Sequence, residues 1–482
     1  MILDENQPKK VGLWQFSDKK FGCFHYYGYL CNVKREKAMK RLTIFLFSLL
    51  LGLASTYSQG VVEIVFNGTK ASYNIPDSVT GVKVGTNGAR VTVVCTNTEK
   101  EYTYRVSGSS DNGSLTITGE YKLKLQLAGL TLTNKRGGAA INVDCGKRID
   151  VVLEDSTENT ICDSNLGTQK GAFYIRGHAE FKGGGTLNVT GLKGHAICVK
   201  EYCELKSSVG TINILGAVTD GIHCGEGQKG DLNNYFLMKA GVLNISNTGG
   251  DGVDTNEYGV LNIEGGEVNI SVSDDNIGLK ADSTVNISGG TINIDVPGQD
   301  SKAIRANHTV NISGGTSTLN ISGNGSKGIK ANRYEENSTV LNGGYIYISG
   351  GETNINVTGG HYITTDSEGV ADTTKCMGIS IDADMVQTDG TVTITTKGSE
   401  ARGYNVKGDE TRTGGSFIVK SDDDETQQDG DVNDDGSVDV ADISAVISQM
   451  AGTSSYDKAD VNSDGSVDVA DISAIITIMS NN

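Results

Sequence analysis

Apolar and polar residues alternate along much of the chain, and the pattern returns at a fixed interval. Val285 and Ile287 are apolar while Thr284 and Asn286 are polar, and the same order returns 25 residues on. A period of two is typical of β-strands, and a longer fixed period indicates a stack of repeated units. No helical periodicity separates the strands. The pattern therefore predicts an all-β fold, a parallel β-helix of about ten coils whose inward side chains pack between neighbouring coils.

Each predicted coil begins with a small residue, which fits a tight corner where a bulky side chain would clash. The starts are Ala140, Ala172, Ala196, Gly221, Gly252, Gly278, Ala303, Gly328, Gly378 and Gly403. The step from Gly328 to Gly378 is 50 residues, and the positions of the Ser-Gly-Gly corners predict one coil with insertions of 11 and 14 residues. A third insertion is predicted near 225–235. Insertions in stacked repeats are expected as loops.

The chain divides into six predicted segments. Residues 39–58 are typical of a secretory signal peptide, because Lys40 and Arg41 precede a short apolar run and then small and polar residues. Residues 1–38 fit no targeting pattern, and we expect translation to start at Met39. Residues 59–135 are strand-rich but out of register, which predicts an N-terminal β cap. The β-helix follows at 136–420, an acidic linker at 421–430 and a small α module at 431–482.

Charge and cysteine content limit the classes of partner and of structural site that the chain can have. The net charge of −18 argues against a nucleic-acid partner, and the apolar run of the signal is too short to span a membrane. Without residues 1–38 the chain keeps seven of its nine Cys and loses its single Trp. The Cys have no regular spacing, so neither a zinc site nor a disulfide framework is indicated. Asn188, Asn213, Asn244, Asn269, Asn293 and Asn320 recur at coil spacing and are interpreted as stacks on a solvated face.

Two acidic loops near the C-terminus have the spacing of calcium-binding loops. Residues 431–442 and 460–471 carry oxygen-bearing side chains at loop positions 1, 3, 5, 9 and 12, with Gly at position 6. An apolar stretch of helical character follows each loop, and no helix is predicted before the first. The predicted ligands are Asp431, Asn433, Asp435, Asp439, Asp442, Asp460, Asn462, Asp464, Asp468 and Asp471.

This arrangement resembles the type I dockerin over about the last 52 residues. The resemblance implies two bound Ca²⁺ and docking onto a cohesin-like partner. Loop positions 10 and 11, often Ser-Thr in cellulosomal dockerins, are Val440-Ala441 and Val469-Ala470 here. The identity of the partner therefore stays open.

The repeats carry a second resemblance. The motifs Asp220-Gly-Ile-His, Asp251-Gly-Val-Asp and Asp275-Asn-Ile-Gly, with Ser-Gly-Gly corners following, resemble a carbohydrate-binding family that was formerly a domain of unknown function. Its members come from polysaccharide-degrading anaerobic bacteria. The resemblance spans about residues 60–420 and implies a right-handed parallel β-helix, bound calcium, and association with acidic polysaccharides or cellulose.

The third residue of each coil motif is expected to point outward, because its neighbours are mostly apolar. These residues include His223, Asp254, Lys280, Arg305 and Lys330, and we predict that Lys280, Arg305 and Lys330 form an exposed basic column. Two residues on, a second column of oxygen-bearing side chains is either a hydrogen-bond ladder or a metal site. We predict that His223 and the three cations bind an acidic glycan. The candidate calcium ligands are Asp220, Asp251, Asp254, Asp275 and Asp282.

Three function classes remain open. The first is a secreted, calcium-dependent protein that binds polygalacturonate-like polysaccharide without catalysis. The second is a polysaccharide lyase, in which Ca²⁺ acidifies a uronate proton that Lys or Arg removes. The third is a structural surface repeat without a ligand. The sequence favours them in this order, because no catalytic motif can be placed in it.

Overall fold

The computed structural model describes residues 60–481 except 226–232, 257, 337–339, 366–368, 399, 422–429, 434, 436, 457 and 463–464. The predicted signal peptide at 39–58 and the preceding residues lie outside this part, as do nearly all of the predicted linker and most of the third insertion. The described chain contains strands β1 to β37 and helices α1 and α2, numbered here in chain order.

The smaller of the two main sheets has 13 strands, and all but one of its pairings are parallel. Its strands are β3 (Val82–Asn87), β4 (Arg90–Cys95), β6 (Ser114–Gly119), β8 (Ile141–Asp144), β11 (Gly171–Ile175), β14 (His195–Val199), β17 (Ile222–Cys224), β20 (Val253–Thr255), β23 (Ile277–Ala281), β25 (Lys302–Ala306), β27 (Lys327–Ala331), β33 (Met377–Ile381) and β35 (Arg402–Val406). The predicted coil starts therefore lie in or directly before the strands of this sheet.

The larger sheet has 20 strands. They are β1 (Val61–Asn67), β2 (Lys70–Asn74), β5 (Thr103–Ser110), β7 (Leu123–Thr133), β9 (Arg148–Leu153), β10 (Glu158–Cys162), β12 (His178–Lys182), β13 (Thr186–Gly191), β15 (Cys203–Leu205), β16 (Thr211–Ala217), β18 (Tyr235–Met238), β19 (Val242–Ile245), β21 (Val260–Ile263), β22 (Glu267–Ser271), β24 (Thr284–Val296), β26 (Thr309–Ile321), β30 (Tyr345–Val357), β34 (Met385–Thr396), β36 (Glu410–Arg412) and β37 (Ser416–Ser421). The segment 59–135, predicted as a cap, contributes strands to both main sheets.

The pairing of the larger sheet corrects the predicted fold class. Two separate ladders, one from β9 to β21 and one from β10 to β22, both join β7 at one end and β24 at the other. The hydrogen-bonded strands thus close into a ring of 12 parallel strands, and the predicted open right-handed β-helix of about ten coils is wrong.

The closure has a local cause. We expected the Ser-Gly-Gly runs to be corners that separate strands. In β24 the run Ser288–Gly290 instead lies within a single strand of 13 residues, with a register shift beside it. A strand of this length pairs along one half with β21 and along the other half with β22. The long strand β7, with 11 residues, joins the two ladders at the opposite end in the same way.

Alternation decides which side chains form the core. Val91 and Val93 are buried while Thr92 between them is exposed, and the same order repeats along the sheets. One hydrophobic cluster extends in sequence from Val62 to Ala401. We call the two main sheets together the sheet body. Burial of this apolar surface is the main contribution to its stability.

Asparagine side chains form a ladder on the outside of the larger sheet. Asn213 donates to Asn188, Asn244 donates to Asn213, and Asn269 donates to Asn244, each over 2.8 Å. Each amide therefore satisfies its neighbour in the next repeat, which agrees with the interpretation of these residues as a stack. Asn320 is the exception, because it lies beside Asp295 and donates to that side chain instead.

Two hairpins occupy the predicted insertions between Gly328 and Gly378. One pairs β28 (Arg333–Glu336) with β29 (Val340–Gly343), and the other pairs β31 (Tyr362–Thr365) with β32 (Ala371–Thr374). Strand β27 pairs directly with β33 across the whole interval. The interval is therefore one repeat with two insertions, as the corner spacing predicts.

The C-terminal module contains the two helices α1 (Val440–Met450) and α2 (Val469–Asn481). They share a small core of their own, in which Val432, Ala445, Val446, Ala459 and Ile475 are buried. Among the described residues, no helix is long and apolar enough to cross a membrane.

Candidate functional site

A single row of outward positions crosses the smaller sheet. Strand pairing places His223 beside Asp254, Asp254 beside Lys280, Lys280 beside Arg305, and Arg305 beside Lys330. We call these five residues the outer row. The structure therefore brings the predicted carbohydrate-binding residues together in the order that the 25-residue period implies.

Three carboxylates meet at one end of the outer row. Asp220, Asp251 and Asp254 each offer an oxygen, and these oxygens lie within 4.8 Å of one another. Asp254 lies on β20, whereas Asp220 and Asp251 lie in the turns that lead into β17 and β20. The backbone N–H of Asp251 donates to Asp220 Oδ1 over 2.8 Å, which fixes one turn against the next. We call these three residues the carboxylate group.

Cations lie directly against the carboxylate group. His223 Nδ1 is 3.1 Å from Asp220 Oδ2 and 3.3 Å from Asp254 Oδ2. Lys280 Nζ is 2.9 Å from Asp251 Oδ2 and 3.2 Å from Asp254 Oδ1. Because Asp254 is only 3% exposed, its charge needs such partners to be stable at this depth.

The pKa values follow from these contacts. Burial favours the neutral form of Asp220, but hydrogen bonds from His195 and His223 outweigh it and hold the pKa of Asp220 well below its usual range. Burial also disfavours charge on His223, yet the bonds to Asp220 and Asp254 raise the pKa of His223 to about 9. The pKa of Lys280 is raised by Asp254 and Asp251 in spite of its burial. Near neutral pH the site is therefore a set of ion pairs.

The other end of the outer row is basic, but its cations are also engaged. Lys330 Nζ donates to Asp382 Oδ1 over 2.9 Å, and Arg305 donates to Asn307 Oδ1 over 3.1 Å. The side chains of Lys280 and Lys330 are only 23% and 15% exposed. The three cations form the predicted column, but the expectation that they are exposed is wrong, because all three side chains are half-buried.

The second column bonds to itself at one step and otherwise bonds to residues of the outer row. Asn307 donates to Asp282 Oδ1 over 3.4 Å, and Asn256 lies 3.5 Å from His223 Nε2. Asp282 is thus next to the outer row but outside the carboxylate group. Asp275 lies exposed in a turn with φ of 58° and does not join the group.

His195 is a residue of this site that the sequence reasoning missed. Its ring stacks on His223 with centroids 4.3 Å apart, and its Nδ1 is 3.1 Å from Asp220 Oδ2. His195, Asp220 and His223 also form a group with metal-ligand spacing. The available signal was its place in the motif, because His195 directly precedes the coil start Ala196, just as Asp220 precedes Gly221 and Asp251 precedes Gly252.

The acidic loops of the C-terminal module are closed by their last residues. Asp442 is fully buried and accepts hydrogen bonds from the backbone N–H groups of Val432, Asn433 and Asp439 over 2.8–3.1 Å. Asp471 accepts from Asn462 and Asp468 in the same way. The last residue of each loop is therefore hydrogen-bonded to the backbone near the start of the same loop.

The remaining predicted ligands of the first loop form hydrogen bonds within the loop and with the start of the helix that follows it. Asp435 N–H donates to Asp431 and to Asn433, and Asp439 caps α1 by accepting from Ala441. In the second loop Asp460 accepts from Gly465, while Asp464 lies outside the described residues. The donor set consists of oxygens throughout, which fits a hard cation such as Ca²⁺.

Comparisons with known proteins match two parts of the chain. Residues 87–303 match a family model described as carbohydrate-binding domain-containing protein. Residues 429–480 match the model of the dockerin type I domain. A search of curated proteins finds no match.

Among solved structures, the chain is similar to one titled "Structure of the polysaccharide lyase-like protein from C. thermocellum, Gadolinium derivative". The identity is 18%, and the alignment covers 74% of this chain and 99% of the other. The TM-score of 0.29 is too low to support an argument about fold or function.

Proposed function

We propose that the protein is a secreted, calcium-dependent carbohydrate-binding protein that attaches to acidic, polygalacturonate-like polysaccharide. The observation that carries this proposal is the outer row, in which four basic side chains and Asp254 lie side by side on one face of the smaller sheet. Acidic sugars need cations for their carboxylates, and the outer row brings four basic side chains together on a protein whose net charge is −18. The match of residues 87–303 to a carbohydrate-binding family supports the proposal.

Asp220, Asp251 and Asp254 are the residues that would hold Ca²⁺ in the sheet body, with Asp282 beside them. Their converging oxygens fit a hard cation, which would replace the contacts that His223 and Lys280 make with them in this structure. When bound, Ca²⁺ supplies positive charge that a sugar carboxylate can share with the protein. Asp275, the fifth predicted ligand, lies in an exposed turn outside the carboxylate group.

The C-terminal module is proposed to bind two Ca²⁺ through its loops and to dock onto a cohesin-like partner. The match to the dockerin type I domain supports this role. Val440 and Val469, at loop position 10, are 65% and 62% exposed. An apolar side chain at this position favours an apolar contact with the partner, in place of the hydrogen bonds that Ser provides.

Lys280 in the outer row does not fit the role of the base in the lyase alternative. A general base must be neutral to accept a proton, whereas Asp254 and Asp251 hold Lys280 in its charged form. Incubation with polygalacturonate, followed by ultraviolet absorbance, tests for unsaturated uronate products. Their release would establish the lyase reaction in place of binding alone.

The proposed glycan site is tested by removing its cations. We expect Arg305→Ala to lower the affinity for polygalacturonate at least about tenfold, because a charged hydrogen bond is lost. The triple change of Lys280, Arg305 and Lys330 to Ala is expected to abolish binding. In the unchanged protein, salt and chelator should each weaken binding, measured by calorimetry.

Two controls accompany this test. Arg305→Ala is the cleaner variant, because Arg305 bonds Asn307 and its loss removes no ion pair. The triple variant removes the ion pairs of Lys280 with Asp251 and Asp254 and that of Lys330 with Asp382. Replacing Lys70, Lys83 and Lys100 by Ala removes the same charge from exposed positions elsewhere. Equal affinity of Arg305→Ala and of this control would contradict the proposed site.

A further inference from the structure

Two adjoining cavities open on the outward face of the smaller sheet, ahead of the outer row in sequence. The first has a volume of about 560 Å³ and includes Arg90, Thr116 and Asn142 in its lining. The second has a volume of about 440 Å³ and includes Lys170 and Tyr174. They share Gly138, Ala139 and Asn142. Volumes of this size are typical of small-molecule sites.

The cavities lie on the same line of positions as the outer row. Thr92 pairs with Thr116, Thr116 with Asn142, and Asn142 with Tyr174. The line then passes through Cys198 to His223. From Thr92 to Lys330 it crosses nine strand spacings of about 4.8 Å, or about 43 Å. An extended polymer that lies across the strands therefore reaches both the cavities and the outer row.

The charge of the cavities differs from that of the rest of the protein. None of the described residues that line them is Asp or Glu, although Asp and Glu outnumber Lys and Arg in the chain by 59 to 41. Arg90 lies at the start of β4 and is half-buried. Within the described part of the chain, its guanidinium has no ion pair and no side-chain hydrogen bond. Lys280 and Lys330, by contrast, are both neutralised by aspartates.

Hydrogen-bonding groups surround Arg90. Thr86, Asn87, Thr92, Ser114 and Thr116 line the same cavity and offer hydroxyl and amide groups. The buried Oδ1 of Asn142, which lies between the two cavities, accepts no hydrogen bond from any described residue. A buried polar atom without a partner is costly unless a ligand or water satisfies it.

We propose that the cavity at Arg90 binds the carboxylate of an acidic sugar residue, with the surrounding hydroxyl and amide groups bonding the sugar hydroxyls. The guanidinium of Arg matches a carboxylate with two parallel hydrogen bonds, and here no protein carboxylate competes for it. The assignment of the ligand to acidic carbohydrate rests on the proposed function. The location is new, since it lies apart from the outer row and from the carboxylate group.

The experiment uses the whole protein and a short probe. Trigalacturonate and its neutral counterpart galactotriose are titrated into the unchanged protein and into Arg90→Ala, Arg90→Lys and Lys70→Ala. Lys70 is exposed and lines neither cavity, so Lys70→Ala controls for the loss of one charge. We expect trigalacturonate to bind and galactotriose to bind more weakly.

Arg90→Ala should lower the trigalacturonate affinity at least about tenfold, and Lys70→Ala should leave it unchanged. Arg90→Lys keeps the charge and the fold but loses the paired geometry, so we expect an intermediate affinity. No binding of trigalacturonate, or equal affinity of the Arg90 variants and Lys70→Ala, would overturn the inference.

The two proposals fail separately. If Arg90→Ala binds normally while Arg305→Ala loses polygalacturonate, the outer row is the glycan site and the inference about Arg90 is wrong. If Arg90→Ala loses both probes while Arg305→Ala binds normally, the cavity is the site and the outer row is not. A thermal melt of each variant confirms that it is folded.

Discussion

At the scale of single residues, Lys327 shows how the stacking of repeats changes a side chain's charge. Strand pairing places Lys302 directly beside Lys327, and the Lys327 ammonium donates to the Gly325 carbonyl over 2.9 Å. Burial first, and the charge of Lys302 second, lower the pKa of Lys327 to about 8. Lys302 itself is paired with Asp300 over 3.1 Å. The charged form of Lys327, which predominates at neutral pH, is therefore unfavourable in the folded protein.

Replacing Lys327 by Met is expected to raise the free energy of unfolding at pH 7 by up to about 1 kcal/mol, after allowance for solvent screening. The unfolded chain has the higher pKa and so binds more protons between pH 8 and about 10.5. The unchanged protein should therefore gain stability over that range, and the advantage of Lys327→Met should disappear.

Denaturant unfolding at a series of pH values measures this difference. Lys83→Met, at an exposed position on β3, is the matched control and should show no such trend. A Lys327→Met variant that is less stable than the unchanged protein at pH 7 would show that the Gly325 contact outweighs the cost of burial.

At the scale of elements, the two helices of the C-terminal module have little to hold them together without a metal. Their core contains five buried residues, two of which are Ala. Residues 421–482 contain 15 acidic side chains and a single basic one, Lys458. Repulsion among these carboxylates opposes folding, and burial of so small a core offsets little of it.

We therefore expect a peptide of residues 421–482 to lose most of its helical circular dichroism in chelator and to regain it on calcium titration. The binding energy of the metal acts here as folding energy. The matched control changes Asp442 and Asp471 to Asn, which removes the charge that closes each loop. This control should stay largely unfolded in calcium. A fully helical circular dichroism spectrum of the unchanged peptide in chelator would contradict the prediction.

At the scale of the whole molecule, the hydrophobic residues form two distinct clusters. The large cluster ends in sequence at Ala401, and the small one begins at Val432. In the sheet body each repeat packs chiefly on its neighbours, so its stability arises from local stacking.

A protein ending at residue 420 is therefore expected to melt within about 4 °C of the full-length chain, since a change of 1 kcal/mol shifts the melting temperature of a large domain by only a few degrees. Calorimetry of both proteins in the presence of calcium measures this. Aggregation of the shortened protein, or a much lower melting temperature, would place the domain boundary elsewhere.

Several features follow from the sequence by itself. The 25-residue period and the alternation of Val285 and Ile287 with polar neighbours determine which residues pair between repeats. A shift of one residue in the strand pairing would turn every buried side chain outward, so no such shifted register can form the core. This is why Lys280, Arg305 and Lys330 lie in one row, and why the insertions after Gly328 form hairpins outside it. The acidic loops are equally local, because their ligands lie within 12 residues of one another.

Other features were decided only by the tertiary structure. The ring of strands depends on β24 continuing through Ser288–Gly290, and the period does not show whether a glycine pair ends a strand. The pairing of Lys280 with Asp251 and Asp254 depends on side-chain reach between repeats. The cavity at Arg90 is bounded by the turn near Thr86 and the loop near Gly138, which are far apart in sequence. Periodicity determines which backbone positions are neighbours, whereas strand ends, side-chain partners and cavities depend on segments that meet only in the folded chain.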